Sequence, residues 1–370
     1  MLISNLSGKF GWVAYHEQIF TKERLHNTLI PALSAYPHHI AVINQHDKND
    51  ADLVEINGKI YRRWIFPFAY QLTDEGSSKL KDSDILTVHE KCVYFMDAAS
   101  IIVGYLLRID RFSNVLDLCS APGGKALIII RRMLDDIYIY GGYDQTCSIV
   151  CNEFDRNRFS RLNRVLQDHI GSSDLNRVNA TTISGDASHP SFPQSLRRKS
   201  KFSKILVDAP CSSDRHLILS NNLSQWSMKL AKKNSKRQTE IIKNAISLLE
   251  NEGVILYCTC TLNEVENDHT VEQICNATGI KATNCFNSMI RILKEFNDTH
   301  SQVKVVLRPI RNDVMRAGLD TTFSENLILN SEENNRHVIF FEYTKFGSYI
   351  LPDSNYGAGP LYVAFIENNK

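Results

Sequence analysis

No apolar run in this sequence approaches the ~20 residues that cross a bilayer, so a membrane-spanning helix is excluded and no membrane insertion is expected. A secretory signal is also missing: Met1 to Ala14 contains Gly, Trp and Lys but no sustained apolar core. Only Lys9 is basic before the first acid, Glu17, which makes a poor organelle presequence, and the N-terminus alone leaves targeting open. There is no excess of either charge. Lys and Arg number 42 against 41 Asp and Glu, a net +1, with an isoelectric point near 7.6. Any nucleic-acid surface must therefore be a local patch balanced by acid elsewhere. Cysteine is sparse, nine in 370 residues, too dilute for a disulfide scaffold and odd in number, so a reducing compartment fits. Paired Cys-x2-Cys spacings are absent, and no metal site is expected. Internal repeats and low-complexity tracts are absent too. With 43% hydrophobic and 22% charged residues, the composition is that of an ordinary globular protein.

The first ~85 residues are of mixed polarity, with clusters such as Tyr61-Arg62-Arg63-Trp64, and form a small N-terminal extension, an RNA-binding or accessory region. Thr73 to Asp84, rich in Ser, Asp and Lys, reads as a linker. A second domain is expected over 86–370. There the pattern becomes short apolar runs separated by helical stretches. Val115–Cys119, Ser148–Asn152, Ala180–Ser184, Lys204–Val207 and Val254–Cys258 read as buried strands. Lys125–Leu134, Arg156–Gln167 and Gln238–Glu250 have helical spacing, the last with an apolar stripe through Ile241, Ile242, Ala245 and Leu248 and a stop at Glu252-Gly253. Strand and helix alternating in this way specify an α/β fold with a doubly wound, mostly parallel sheet. Val338–Tyr343 and Leu361–Ile366 are expected to add an antiparallel pair at one edge, and 280–335 reads as an irregular insertion.

In an open doubly wound sheet, ligands bind beyond the carboxyl ends of the strands, and the unusual residues of this chain fall there. The first strand runs into Ser120-Ala121-Pro122-Gly123-Gly124-Lys125 and then a helix, whose N-terminus favours a carboxylate. Cys119 and Ala126 stand where a phosphate loop needs Gly and Ser or Thr, and the three spaced glycines of a dinucleotide loop are missing. An ordinary strand-to-helix turn is the alternative. The second strand ends at Glu153, either a ribose-binding acid or a helix cap. It lies 29 residues after Gly124, longer than the usual ~20. The third ends at Asp186, which either shapes a turn or holds an adenine amino group. The fourth and fifth end in Asp208-Ala209-Pro210-Cys211-Ser212-Ser213 and Tyr257-Cys258-Thr259-Cys260-Thr261. Structural thiols sit inside elements among apolar residues. Two thiols at neighbouring strand ends, beside Asp208 and among Pro, Ser and Thr, suit nucleophilic chemistry better.

These residues resemble the Sun/Nop-type (RsmB-like) S-adenosylmethionine-dependent RNA cytosine-5 methyltransferases over roughly residues 90 to 370. The resemblance rests on Tyr94–Ser100, Asp117–Lys125, Cys151-Asn152-Glu153 with Arg158, Asp208–Cys211, and Tyr257–Thr261 with Glu266-Asn267. Asp214-Arg215-His216 and Gly359-Pro360-Leu361-Tyr362 look like the mitochondrial members, which act on a tRNA anticodon or small-subunit rRNA. Cys258 stands where the family usually has Ser, and Ser120 where it often has Ala. The resemblance implies a Rossmann-like class I methyltransferase with a seven-stranded sheet, S-adenosyl-L-methionine as cofactor, RNA as partner and a mitochondrial matrix location, with cytoplasm or nucleus as alternatives. It implies that Cys260 attacks carbon 6 of cytosine, that Asp208 holds the base edge, that Cys211 assists loss of the carbon 5 proton, and that Lys125 contacts cofactor and base or lowers the thiol pKa. The cofactor would lie against Ala121, Pro122, Gly123, Gly124, Lys125, Glu153, Arg158, Asp186 and Asp208. The rival is a methyltransferase fold serving as a ribosome-assembly scaffold with a protein partner and catalysis secondary. Two basic runs, Lys229, Lys232, Lys233, Lys236, Arg237 and Arg197, Arg198, Lys199, Lys201, Lys204, are either solvated faces or an RNA grip.

Overall fold

In a computed structural model of the chain, the described residues are 6–43, 51–66, 68–73, 85–140, 147–197, 201–280, 303–310 and 337–367. The linker expected over 73–84 lies almost wholly outside them, as do Arg198, Lys199 and most of 280–335. The first sheet contains β1 (His39–Ile43), β2 (Leu53–Ile56), β3 (Lys59–Arg63), β4 (Ala69–Leu72), β5 (Ile85–Thr87) and β6 (Val93–Asp97), in the order β5-β2-β3-β4-β1-β6. This N-terminal region thus runs past residue 85, because β5 and β6 complete its sheet.

The second sheet contains β7 (Asn114–Asp117), β8 (Ser148–Asn152), β9 (Ala180–Ile183), β10 (Phe202–Asp208), β11 (Leu249–Thr259), β12 (Val303–Pro309), β13 (His337–Tyr343), β14 (Ser348–Ile350) and β15 (Leu361–Glu367). Its order is β12-β13-β14-β15-β11-β10-β7-β8-β9. The five expected strands, β7 to β11, are all parallel, and β15 lies antiparallel against β11. With β14 beyond β15, these seven strands make the sheet that the resemblance implies. Two further strands, β13 and β12, extend it to nine. The two C-terminal strand candidates do not pair with each other: β14, only three residues long, lies between them and pairs antiparallel with both.

Two apolar cores sandwich this sheet. On one face pack the Ala98–Leu106, Gly124–Tyr140 and Arg156–His169 helices, through residues such as Ile101, Ile128, Met133 and Leu162. On the other pack the Met228–Leu248 and Asp268–Thr278 helices through Ile241, Ile242, Ala245 and Ile274. The Gly8–Phe20 helix joins this second core with Trp12, Ile19 and Phe20. The Met228–Leu248 helix begins at Ser227, whose side chain accepts the Leu230 N–H, a cap worth about 0.5–2 kcal/mol. It ends at Leu248, short of the expected stop, and Glu252 takes a left-handed φ of 60° inside the first, irregular part of β11.

Candidate active site

The parallel strands β7 to β11 end at one crevice of about 570 Å3. Its walls include Ala121, Pro122, Glu153, Arg158 and Asp186 at one end, and Asp208, Cys211, Ser213 and Cys260 at the other. Asn152, the last residue of β8, ties the floor together by donating from Nδ2 to the carbonyls of Leu118 (2.9 Å) and Gly185 (3.0 Å). Glu153 is buried. Its Oε1 accepts the Asp155 N–H at 2.9 Å, and Arg158 lies 3.7 Å from its Oε2, which makes no hydrogen bond. A buried carboxylate oxygen without a partner has hydrogen-bonding capacity to offer a ligand hydroxyl. Arg158 also donates to the Ala121 carbonyl at 2.5 Å, fixing the loop after β7.

Asp186 realises the turn-forming alternative, since its Oδ1 accepts from the backbone (3.0 Å) and hydroxyl (2.6 Å) of Ser188, yet it also lines the crevice. Gly123 and Gly124 follow Pro122 directly in the loop after β7. Gly123 has φ of 117°, and a β-carbon there would stand 3.1 Å from Val165 Cγ1; one on Gly124 would meet the Tyr94 ring at 3.1 Å. The glycines thus answer to backbone conformation and packing under the loop.

At the other end, Cys211 Sγ lies 3.2 Å from Cys260 Sγ, and Ser213 Oγ lies 3.3 Å from Cys260 and 3.7 Å from Cys211. The two thiols are not equivalent. Hydrogen bonding from Cys211 and from Ser213, together with the Lys125 charge, lowers the Cys260 pKa against the opposing effects of burial and Asp208. The Cys260 bond and burial push Cys211 far up. The two sulfurs share one hydrogen bond, and these opposite shifts make Cys260 the more readily ionised of the pair.

Lys125 Nζ pairs with Asp208 Oδ2 at 2.7 Å; burial opposes its charge, but the Asp208 carboxylate outweighs it and raises the Lys125 pKa. Cys258, in place of the expected Ser, still supplies a donor, its thiol reaching Asp208 Oδ1 at 3.4 Å. Below them Asp117 is pushed up to about 7 by burial and by Asp208.

The loops that carry the cysteines are braced by residues whose roles the sequence does not disclose. Glu266 accepts the Ser212 N–H (3.1 Å), the Ser212 hydroxyl and the Gln238 amide (3.0 Å), fixing the chain beside Cys211. Asn267 brackets Cys260, accepting from the Thr259 hydroxyl (2.6 Å) and donating to the Thr261 carbonyl (2.9 Å). Fully buried Asp214 accepts from the Trp12 indole (2.6 Å), the Thr261 hydroxyl (2.6 Å) and the Leu262 N–H (2.7 Å). Arg215 donates to the carbonyls of Gly357 (2.6 Å) and Gly359, and Asp97 accepts the Gly359 N–H at 3.1 Å, so three separate sequence motifs meet at one place.

The two basic runs separate. Lys201 and Lys204 stand at the amino end of β10, opposite the crevice, where Lys201 donates to the carbonyls of Ser247 (3.1 Å) and Leu249 (3.4 Å). These two lysines are not beside the site. Lys229 to Arg237 lie on the helix that follows the Cys211 loop, and Arg237 lines the crevice. Among the described residues no group of three His, Cys, Asp or Glu gathers to hold a metal ion, and no helix is long and apolar enough to cross a membrane.

Residues 105–306 match the family model for 16S rRNA methyltransferase RsmB/F. The chain is 30% identical over 186 residues to a mouse tRNA (cytosine(34)-C(5))-methyltransferase, mitochondrial, covering 50% of this chain and 49% of the relative. It is 28% identical over 236 residues to the Xenopus laevis 5-cytosine rRNA methyltransferase NSUN4, covering 61% and 53%. It thus spans about half the length of these curated relatives. NSun6 from Pyrococcus horikoshii, crystallised with SFG, shares the fold at a TM-score of 0.56 and 15% identity, covering 97% of both chains.

Proposed function

The chain belongs to the RsmB/F methyltransferase family, and on that premise we propose that it transfers a methyl group from S-adenosylmethionine to carbon 5 of a cytosine in RNA. The observation that carries this reading is the thiol pair of Cys211 and Cys260, with sulfurs 3.2 Å apart beside Asp208 in a crevice that also holds buried Glu153, one of whose oxygens makes no hydrogen bond. Glu153 suits the ribose hydroxyls of the cofactor, with Ala121, Pro122, Arg158 and Asp186 around it. The bound cofactor supplies an electrophilic methyl group.

Carbon 5 of cytosine is a weak nucleophile until the ring is activated. Cys260 attacks carbon 6, forming a covalent adduct with electron density at carbon 5. Asp208, kept in place by Lys125 and Cys258, holds the Watson–Crick edge by accepting from the exocyclic amino group, and the adjacent Lys125 ammonium offsets the negative charge developing at ring nitrogen 3. Formation of the sulfur–carbon bond removes the Cys260 hydrogen bond that chiefly raises Cys211, and Cys211 then takes the carbon 5 proton as the carbon 5–carbon 6 double bond re-forms and the Cys260–carbon 6 bond breaks, returning the Cys260 thiolate. A base must leave its stack to reach the thiols, which favours loops and anticodons over duplex.

The names of the mouse relative, a mitochondrial tRNA methyltransferase, and of the Xenopus relative, an rRNA methyltransferase, support a tRNA or rRNA substrate, and the first supports a mitochondrial location. The test is incubation of the purified protein with labelled S-adenosylmethionine and transcripts of both classes, followed by nucleoside analysis. Labelled 5-methylcytidine is expected; binding of RNA without any methyl transfer overturns the reading. A C-terminally tagged protein should localise to mitochondria, and an exclusively nuclear signal would overturn that assignment.

A further inference from the structure

We propose that the RNA strand flanking the target nucleotide reaches the crevice across one lysine face of the Met228–Leu248 helix, which holds its phosphates independently of sequence. The inference rests on the RNA methyltransferase reading above and adds the path the substrate takes. Lys229, Lys232, Lys233 and Lys236 recur at i, i+3, i+4 and i+7, which puts them on one helical face, and all four are exposed. On the opposite face Ala231, Ser235, Gln238 and Ile242 are buried. Other surface lysines do have acidic partners, as in Lys243–Glu240 (2.9 Å) and Lys345–Glu272 (2.6 Å). Among the described residues, none of these four has an acidic partner. The reason is visible in the sequence: residues 215–239 contain no Asp or Glu, in a chain whose net charge is only +1. Four uncompensated charges within about 10 Å of helix make a local attraction for a polyanion that the whole-chain balance conceals.

The face is fixed relative to the chemistry. From the same turns, Asn234 donates to Ser212 Oγ (3.4 Å) and Gln238 to the Pro210 carbonyl (2.9 Å), bolting the helix to the loop that carries Cys211. The lysines therefore stand roughly one helix diameter, about 10–12 Å, from that loop. Arg237 follows Lys236 and turns onto the crevice wall, with its guanidinium over the Phe154 ring at 5.5 Å and 3.5 Å from Asp186. The stripe thus runs continuously to the crevice rim. The other basic helix near the crevice, Arg156–His169, exposes Arg156, Arg161 and Arg164 on the opposite side of the sheet, interleaved with exposed Asp155 and Asp168.

The experiment compares three variants of the full chain for binding to a labelled cytosine-containing RNA stem-loop at several KCl concentrations. The first changes Lys229, Lys232, Lys233 and Lys236 to Ala, the second changes the same four to Arg, and the third changes Arg156, Arg161 and Arg164 to Ala. The Lys-to-Ala variant should lose about tenfold or more in affinity near 0.1 M salt. Its log–log salt slope should become shallower by about 0.7 for each phosphate contact removed. Its melting temperature and S-adenosylmethionine affinity should match wild type, and the Lys-to-Arg variant should keep wild-type RNA affinity. Unchanged affinity and slope in the Lys-to-Ala variant would overturn the proposal, as would loss confined to the arginine-helix variant, which would move the RNA to the other side. Wild-type methyl transfer is measured in parallel. Its absence with lysine-dependent binding intact sinks the methyltransferase reading alone, whereas methyl transfer with lysine-independent binding sinks the RNA path alone.

Discussion

Ser213 sits at φ 52°, a left-handed conformation uncommon for a residue with a β-carbon. That turn aims its hydroxyl at the Cys260 sulfur, 3.3 Å away. A hydrogen bond to a charged acceptor contributes about 1.5–3 kcal/mol, and 1.36 kcal/mol corresponds to about one pKa unit. Ser213→Ala should therefore raise the Cys260 pKa, read as the pH dependence of Cys260 alkylation by peptide mass spectrometry; an unmoved titration would remove Ser213 from this role. At the far end of the crevice, Glu153→Ala removes a buried acceptor that no protein group fully satisfies. Its S-adenosylmethionine affinity should fall by about 1–3 kcal/mol, and calorimetry with unchanged affinity would take Glu153 out of the site. These two residues differ in how visible they are in the sequence. Glu153 ends an apolar strand and can be recognised as a ligand position, whereas Ser213 is one of two adjacent serines and only the backbone angle distinguishes it.

At the scale of elements, four of the five parallel strands were legible because each carries a short apolar run bounded by polar residues; the fifth, β9, has two threonines and, at the sheet edge, no buried residue, so the buried strand expected at 180–184 is a half-exposed one. β14 was not legible, since three residues carry no periodicity, and the pairing of its neighbours was misjudged for that reason. The place of the Gly8–Phe20 helix was also hidden. Its anchor is the Trp12–Asp214 bond, between residues 202 apart in sequence. The same carboxylate holds Thr261 and Leu262 just beyond Cys260, so one buried acid joins the N-terminal helix to both cysteine loops. Asp214→Ala leaves three buried donors without an acceptor. At about 1–3 kcal/mol each, partly relaxed, the loss of stability should be about 3–5 kcal/mol by urea denaturation. A loss under 1 kcal/mol would show that the junction is not structural.

Across the whole molecule, the site concentrates buried acid under the strand ends. Glu266 is pushed up to about 7, chiefly by burial and then by Asp214, and Asp117 to about 7 by burial and Asp208. For a carboxyl whose folded pKa exceeds its unfolded value, the folded state binds more protons between the two. The stability it contributes is full below the unfolded value, near 4.5 for Glu266, and is lost as pH rises through about 7. The stability of wild type relative to Glu266→Gln should therefore decline from pH 5 to pH 8, measured by denaturation at each pH. A difference independent of pH would contradict the burial of an ionisable Glu266.

The central claim, that Cys260 forms the bond to cytosine and Cys211 releases it, is tested most directly by incubating Cys211→Ala and Cys260→Ala with RNA and S-adenosylmethionine and running a denaturing gel. Thermal melting first establishes that both variants are folded. The 3.2 Å thiol pair and its opposite pKa directions predict a covalent protein–RNA band with Cys211→Ala and none with Cys260→Ala. A band with Cys260→Ala alone would reverse the assignment, and no band from either folded variant would contradict a resolving role for Cys211.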